Sequence, residues 1–436
     1  MTQAAISDPP NVSKPKFIDK AFVYKTFIVV FLGWTFVGFS NTFNLALSGM
    51  MEEMNYSSTS IGLVVSVYSL GGFISALWLP LLADRKGRRL GMCLSIAFAT
   101  IFNSMIGFTT SILQLLPLRF ISAHGQTCQW GIGSSHLSEV VPARDRGAFL
   151  GLMQMGTPVG YFLCSAMFTV MMTMGFSWRT FSQMGIIGIV ICIPVIFWLR
   201  ESDLWLRDHG KKVPNTGGAA EVPPTTRQKK ITTWELFRPE YRKSTFVGMA
   251  LHSIGAFWAW GNTTWFLVCA AQDFGMDAVA RGKLNMLMWG VAIIGYPLAG
   301  KIGDMIGRRR GMLLFTIIIL IGTLMMFVSS RSATPDVTLL YIATPIIGIG
   351  LGVHSILIAY SSEIFPSHVR ATGNSLSIGV GRLSAVFSMM ALGVIADLST
   401  PTTAELVCAI GGFLMVPIVY IWGVETARKE LTEIAD

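Results

Sequence analysis

Asp84-Arg85-Lys86-Gly87-Arg88-Arg89-Leu90 recurs 220 positions later as Asp304-Met305-Ile306-Gly307-Arg308-Arg309-Arg310. Each copy joins two long apolar stretches by a link short enough only for a tight, charged turn. Neither flanking stretch is water-soluble, so both turns lie at a membrane surface. The glycine three places after the aspartate lets the backbone turn sharply. The arginines hold their loop on the side that retains positive charge, and the aspartate can dock against a helix end or a nearby arginine. Two copies in matching places describe a duplicated membrane protein.

Composition agrees. The 436 residues are 52% hydrophobic and only 13% charged, with a mean hydropathy of +0.58, whereas soluble domains carry about 25% charge. The net charge of +9 sits in short loops beside apolar spans, so topology and an anionic lipid surface explain it and nucleic acid is not an expected partner. The six cysteines (93, 128, 164, 192, 269, 408) lie in or beside apolar runs without metal-ligand spacing, and no disulfide framework is expected. The first apolar run is far too long for a signal-peptide core, so it is expected to stay in the membrane.

Twelve segments reach the roughly 20 residues needed to span a bilayer: 24–49, 58–82, 90–110, 113–138, 147–173, 181–199, 245–270, 283–303, 311–330, 336–360, 372–396 and 402–424. This predicts an all-α membrane protein with twelve transmembrane helices in two six-helix bundles, 24–199 and 245–424. They are flanked by tails at 1–23 and 425–436 and joined by a charged, Pro- and Gly-containing linker at 200–244, in which 231–237 is expected to form a short surface helix. Of the 33 basic residues, 27 fall on the side shared by the two termini and the linker, which makes both termini cytoplasmic. Two further motifs repeat: Glu139-x-x-Pro142-x-x-x-Arg146 recurs as Glu363-x-x-Pro366-x-x-x-Arg370, and Glu201-Ser202 as Glu425-Thr426. Repeats of this parallel kind place a substrate between the halves near the bilayer midplane.

The chain resembles the major facilitator superfamily over nearly all its length. The opening motif is similar to that superfamily's loop 2–3 signature, and Gly300-x-x-x-Asp304 through Arg309 to its loop 8–9 counterpart. Arg119-Phe120-Ile121-Ser122-Ala123-His124-Gly125 resembles the Arg-Phe-x-x-Gly element of helix 4, with the glycine displaced. The segment from Glu425 to Ile434 resembles the closing segment of the sugar-porter and organic-ion branches, and Gly379-Val380-Gly381-Arg382-Leu383 resembles helix 11 of organic-anion and aromatic-acid carriers. The resemblance implies a secondary transporter of the organic-anion, aromatic-acid or sialic-acid-like branch with sugar-porter-like motifs. It would rock two bundles around one site in the plasma (inner) membrane of a bacterium, as a monomer, and it would not be an enzyme. No cofactor is expected; a proton gradient is the expected energy source.

Charge inside the membrane points to the cargo. Arg119 lies within the fourth span and Arg382 near the middle of the eleventh, and each costs at least ~2.5–3.5 kcal/mol unless it meets a partner or a water-filled cavity. No Asp or Glu lies deep within a span, since Asp336 and Glu405 fall at outer ends. Buried cations without buried anions predict a partner arriving from solution, a small organic anion held by its carboxylate. A sugar or other neutral metabolite carrier, or a drug exporter, is the alternative. Candidate substrate-binding residues are Arg382, Arg119, Asn41, Asn44, Gln126, Gln129, His252, Trp260, Asn262 and His354. On helix 4, Arg119, Ser122, Gln126, Gln129, Gly133 and His136 form one stripe expected to support a polar cavity. The aromatic-acid branch has an Asp-Gly-x-Asp element in helix 1 where this chain has Asn41-Thr42-Phe43-Asn44, so His124, His354 and His252 remain as proton-coupling candidates. Asp84, Arg88, Glu139, Arg146 and Glu201 are expected to form one side of a cytoplasmic latch, and Asp304, Arg308, Glu363, Arg370 and Glu425 the other, pairing when that side closes and separating when it opens.

Overall fold

The computed structural model describes residues 20–142, 145–208, 233–332, 334–366 and 369–427. The N-terminal tail, most of the linker and the end of the C-terminal tail lie outside the described residues, as do the side chains of Arg146 and Arg370. All regular structure among the described residues is helical. Twelve membrane helices follow in order: α1 (Lys20–Met54), α2 (Ser58–Lys86), α3 (Arg88–Phe108), α4 (Ile112–Val140), α5 (Arg146–Gln154 continued by Gly156–Thr173), α6 (Trp178–Trp198), α7 (Arg242–Gln272), α8 (Ala278–Ile306), α9 (Arg308–Ser330), α10 (Val337–Ser361), α11 (Arg370–Leu398) and α12 (Pro401–Ile421). Within the expected surface helix, Thr233–Phe237 forms a 3₁₀ turn.

Ten of the twelve are long and apolar enough to cross a membrane. The two outside that description are α4, which carries Arg119, His124, Gln126, Gln129 and His136, and α7, which carries His252, Asn262 and Thr263. Their polarity reflects position, because both help to line the central space described below. The first expected span is not one continuous helix. It breaks at residues 40–42, between Lys20–Phe39 and Phe43–Met54, where the Asn41 and Thr42 amides close tight turns onto Gly38 and Ser40 carbonyls.

The two signature loops adopt the same geometry. Gly87 (φ 121°) and Gly307 (φ 102°) occupy the left-handed region that side-chain-bearing residues avoid. Each starts a helix whose first amides are capped by a carboxylate: Glu201 accepts from Arg88 N and Arg89 N at 2.9 and 3.0 Å, and Glu425 from Arg308 N and Arg309 N at 2.8 and 3.2 Å. Arg88 pairs with Asp84 and with Glu139 at 2.9 Å, while Arg308 pairs with Asp304 at 2.7 Å and Glu363 at 2.8 Å. Ser202 and Thr426 complete the match, each donating its hydroxyl at 2.5 Å, to Glu139 and Glu363 respectively. At Glu425 burial pushes the carboxyl up, but the amides of Ala427, Arg308 and Arg309 outweigh it and hold the group below its ordinary range.

Among its described members, the expected latch is paired inside each half in this state. Every pair just named lies within one half, and all are made while the halves stand apart on this motif face. The side chains link the ends of their own bundle, so separation of the bundles does not break them.

On the opposite face the halves touch. Asn44 Nδ2 donates to the Thr263 carbonyl at 3.4 Å, Ser66 Oγ to the Val386 carbonyl at 2.5 Å, and Asn285 Nδ2 to Ser165 Oγ at 2.8 Å. Asp397, at the end of α11, accepts from Ser58 N and Thr59 N, the first amides of α2, at 2.8 Å each. A space of about 980 Å³ between the halves opens toward the motif face, lined among others by Ser134, Ser138, Lys301 and Ser355.

Glu405 lies in the first turns of α12, at the span end where it is expected, but not in water. It is fully buried, on the α12 face that also carries Cys408, which contacts the Phe257 and Trp258 carbonyls of α7. Neither of its carboxylate oxygens has a hydrogen-bond partner. A glutamate near a span end looks peripheral in sequence, but packing of α12 on α7 removes this one from water. Burying a polar group without a partner opposes folding. Glu405→Met is therefore expected to raise the melting temperature by about 2–4 °C, as read by tryptophan fluorescence of detergent-solubilised protein. A fall would reveal a partner for the carboxylate in solution.

Candidate functional site

The centre of the molecule, between the bundles, holds a chamber of about 200 Å³ continuous with the larger space through shared walls at Trp130, Gln154, Tyr296, Ile358 and Asn374. The N-terminal half contributes Gln126, Thr127 and Trp130 from α4 and Thr157 and Tyr161 from α5. The C-terminal half contributes His252, Trp260 and Thr263 from α7, Trp289 and Tyr296 from α8, His354 from α10, and Asn374 and Arg382 from α11. Arg382 is the one charged side chain among the described lining residues, and no Asp or Glu joins it. Its guanidinium stands over the Trp260 ring at 4.9 Å, and its Nη1 is buried without a hydrogen-bond partner. His252 Nε2 and His354 Nδ1 are likewise buried and unpartnered.

The aromatic wall is braced from behind. Tyr161 of α5 stacks on Trp289 of α8 with ring centroids 4.4 Å apart, which joins the halves across the chamber. Its hydroxyl accepts from Asn41 Nδ2 at 2.9 Å and Gln126 Nε2 at 3.2 Å, and Tyr68 donates its own hydroxyl to Gln126 Oε1. Behind Tyr68, the Arg119 guanidinium is sandwiched between the Tyr68 and Phe43 rings at 3.9 and 4.0 Å and donates to Asn103 Oδ1 at 3.1 Å.

Of the ten residues expected to bind substrate, Gln126, His252, Trp260, His354 and Arg382 line the chamber, and the other five do not. Arg119 and Asn41 stand one layer behind the wall. Asn44 belongs to the contact on the closed face. Gln129 packs beside Gly33 of α1, and Asn262 turns to the Trp258 carbonyl at 2.9 Å and to Cys408 of α12. His124 contacts the Phe120 carbonyl at 3.1 Å inside a nest of Trp78, Phe98 and Phe120, away from the chamber. The predicted α4 stripe is buried as expected, but of its members only Gln126 reaches the chamber. The cleft is met instead by Thr127, Trp130, Ser134 and Ser138, about a quarter-turn around the helix.

Thr127, Tyr161, Trp289, Tyr296 and Asn374 were not singled out from sequence. For the tyrosines a signal existed: the chain has only nine, and Tyr68, Tyr161 and Tyr296 place a hydroxyl in mid-span, where it needs a polar neighbour.

Two six-helix halves around a central chamber, open on one face and closed on the other, define a membrane transporter and not an enzyme. The sequence pattern of the Major Facilitator Superfamily matches residues 26–279 and 245–436, and the chain belongs to that superfamily. The gentisate transporter of Corynebacterium glutamicum is 24% identical over 84% of this chain and 80% of its own. The cis,cis-muconate transport protein of Acinetobacter baylyi is 26% identical over 81% and 82%. The xylose transporter XylE of E. coli, in a partially occluded inward open conformation, superposes with a TM-score of 0.73. That alignment covers 94% of this chain and 100% of that one at 15% identity, a likeness of fold.

Proposed function

We propose that this protein carries a small organic acid, in its anionic form, across a bacterial plasma membrane by alternating access with proton symport. The observation that carries this reading is Arg382, a cation with a free buried nitrogen in a chamber without any carboxylate among its described lining residues. A carboxylate supplies the missing acceptor in paired geometry. The tryptophan and tyrosine walls suit a flat, unsaturated carbon skeleton, and two relatives are named for gentisate and cis,cis-muconate, both acids of that kind. The motif face is then cytoplasmic, and the described geometry is the state open to the cytoplasm.

Bringing one negative charge into a cell that is negative inside costs ~2.3 kcal/mol per 100 mV, which a co-transported proton offsets. His252 and His354 line the chamber and His124 does not, which supports the first two as the carriers of that proton. No cofactor enters, and one chain encloses the whole chamber, so a monomer suffices.

Counterflow in proteoliposomes tests the proposal. Vesicles preloaded with unlabelled gentisate, nicotinate, benzoate or cis,cis-muconate are expected to draw in the labelled acid saturably, faster with an inside-alkaline gradient. Xylose and benzamide are expected to give none. Saturable xylose counterflow with no acid counterflow would overturn the reading in favour of a neutral cargo.

A further inference from the structure

Gly71 and Gly72 sit side by side in α2 and answer to different demands. A Cβ on Gly71 would strike the Phe120 backbone, so a small residue there lets α2 and α4 pack. The three atoms nearest a Cβ on Gly72 would all be side-chain atoms. Its nearest neighbours would be Thr127 Oγ1 at 2.6 Å and Arg382 Nη1 at 3.6 Å. Both of those atoms are buried, and neither has a hydrogen-bond partner. Thr100, Thr169, Thr263, Thr316 and Thr344 each give their hydroxyl to the carbonyl four residues back, the usual resource of a threonine in a membrane helix. Thr127, like the buried Thr26, Thr35, Thr42 and Thr323, makes no such bond, and of these five it is the one that lines the chamber with Arg382.

Resting on the reading of Arg382 as the anion-binding residue, we infer that Gly72, Thr127 and Arg382 form a notch that seats the carboxylate of the transported acid. Thr127 donates to an oxygen that Arg382 also holds, and Gly72 leaves the room for it. A carboxylate oxygen accepts more than one donor, and short, charged hydrogen bonds are the strong ones. The notch joins α2 and α4 of one half to α11 of the other, so the bound anion itself ties the bundles together. Thr127 thereby acts on substrate affinity, and Gly72 sets the size of group that enters.

The test measures KM and maximal rate in proteoliposomes for whichever of gentisate, nicotinate, benzoate and cis,cis-muconate the wild type carries best. Thr127→Val, which keeps the shape and removes the hydroxyl, is expected to raise KM by about ten- to a hundredfold. Thr127→Ser restores it to within a few-fold, and Gly72→Ala raises it as Thr127→Val does. Thermal melts with the same acid report binding without transport, and Thr127→Val is expected to lose the acid-induced rise. Wild-type KM and melting shift in Thr127→Val, with Arg382→Ala inactive, would overturn the notch and leave the anion reading standing. Acid transport that survives Arg382→Ala, or wild-type protein that carries no acid, would overturn the anion reading and the notch with it.

Discussion

Arg382→Ala is expected to abolish acid counterflow, lowering maximal rate over KM by at least a factor of about 100, while the protein folds as well as the wild type or better. The transport loss follows from two charge-assisted hydrogen bonds to one carboxylate, each worth about 1.5–3 kcal/mol. The stability side follows from what Arg382 lacks. A guanidinium within a span costs at least ~2.5–3.5 kcal/mol unless it meets a partner or a water-filled cavity; Arg382 meets the chamber, but its Nη1 is buried without a partner and its guanidinium stands over the Trp260 face at 4.9 Å. Removing it therefore takes away an unfavourable burial together with the site, the trade-off expected where function is held at the expense of stability. Arg382→Lys keeps the charge and loses the fork, and a loss of about tenfold is expected. Counterflow and fluorescence melts on the same preparations check both halves of the statement. A variant that melts well below wild type while retaining acid transport would show Arg382 to be a packing residue.

The architecture was legible because its signals are periodic or duplicated. Apolar run length marks the helices, and the loop motifs repeat with their charges and glycines in register, so tight turns at Gly87 and Gly307 could be expected, while their caps come from the distant Glu201 and Glu425. The site was half legible. A mid-span charge announces a cavity or a partner, and Arg382 meets the chamber, but Arg119 meets Phe43, Tyr68 and Asn103 instead. Hydropathy reports that a face avoids lipid; it does not distinguish a face turned to the cleft from one packed inside its own bundle. That single ambiguity accounts for Gln129, Asn262 and the members of the α4 stripe other than Gln126. The pairing of the latch residues was open for a related reason, since Glu and Arg motifs at matching offsets are equally consistent with pairing inside each half and between halves. Only coordinates show that Arg88 stays with Glu139 and Arg308 with Glu363.

Asp397→Ala is expected to shift the protein toward a state open on the face opposite the signature loops. Several carboxylates cap helix starts here, Asp277 and Asp336 on their own helices and Asp273 at the end of α7 on α12 of the same half among them, and connectivity separates the rest. Glu201 caps α3 within the N-terminal half and Glu425 caps α9 within the C-terminal half, so neither bond changes when the halves move. Asp397 is carried by α11 and caps α2, with 2.8 Å bonds to Ser58 N and Thr59 N, so this cap exists only while the two halves are closed on that face. The other ties on the seam are of a different kind: Ser66 reaches the Val386 carbonyl at 2.5 Å and Asn285 reaches Ser165 at 2.8 Å through single neutral hydrogen bonds, Asn44 and Ser48 reach carbonyls at 3.4 and 3.5 Å, and Glu52 approaches Arg281 only to 3.7 Å from an exposed position, whereas Asp397 sets a charge on two amides at once. Loss of a helix cap removes about 0.5–2 kcal/mol, and the charge at the helix start adds about 0.3–1 kcal/mol. In a carrier whose two states differ by little, a change near 1.4 kcal/mol moves the population ratio about tenfold. Spin labels on M174C and T334C, exposed positions on that face in opposite halves, are expected to show a longer distance population in Asp397→Ala and an intermediate one in Asp397→Asn, which retains one acceptor. An unchanged distance distribution in Asp397→Ala would show that apolar packing, rather than this cap between the halves, keeps the face closed.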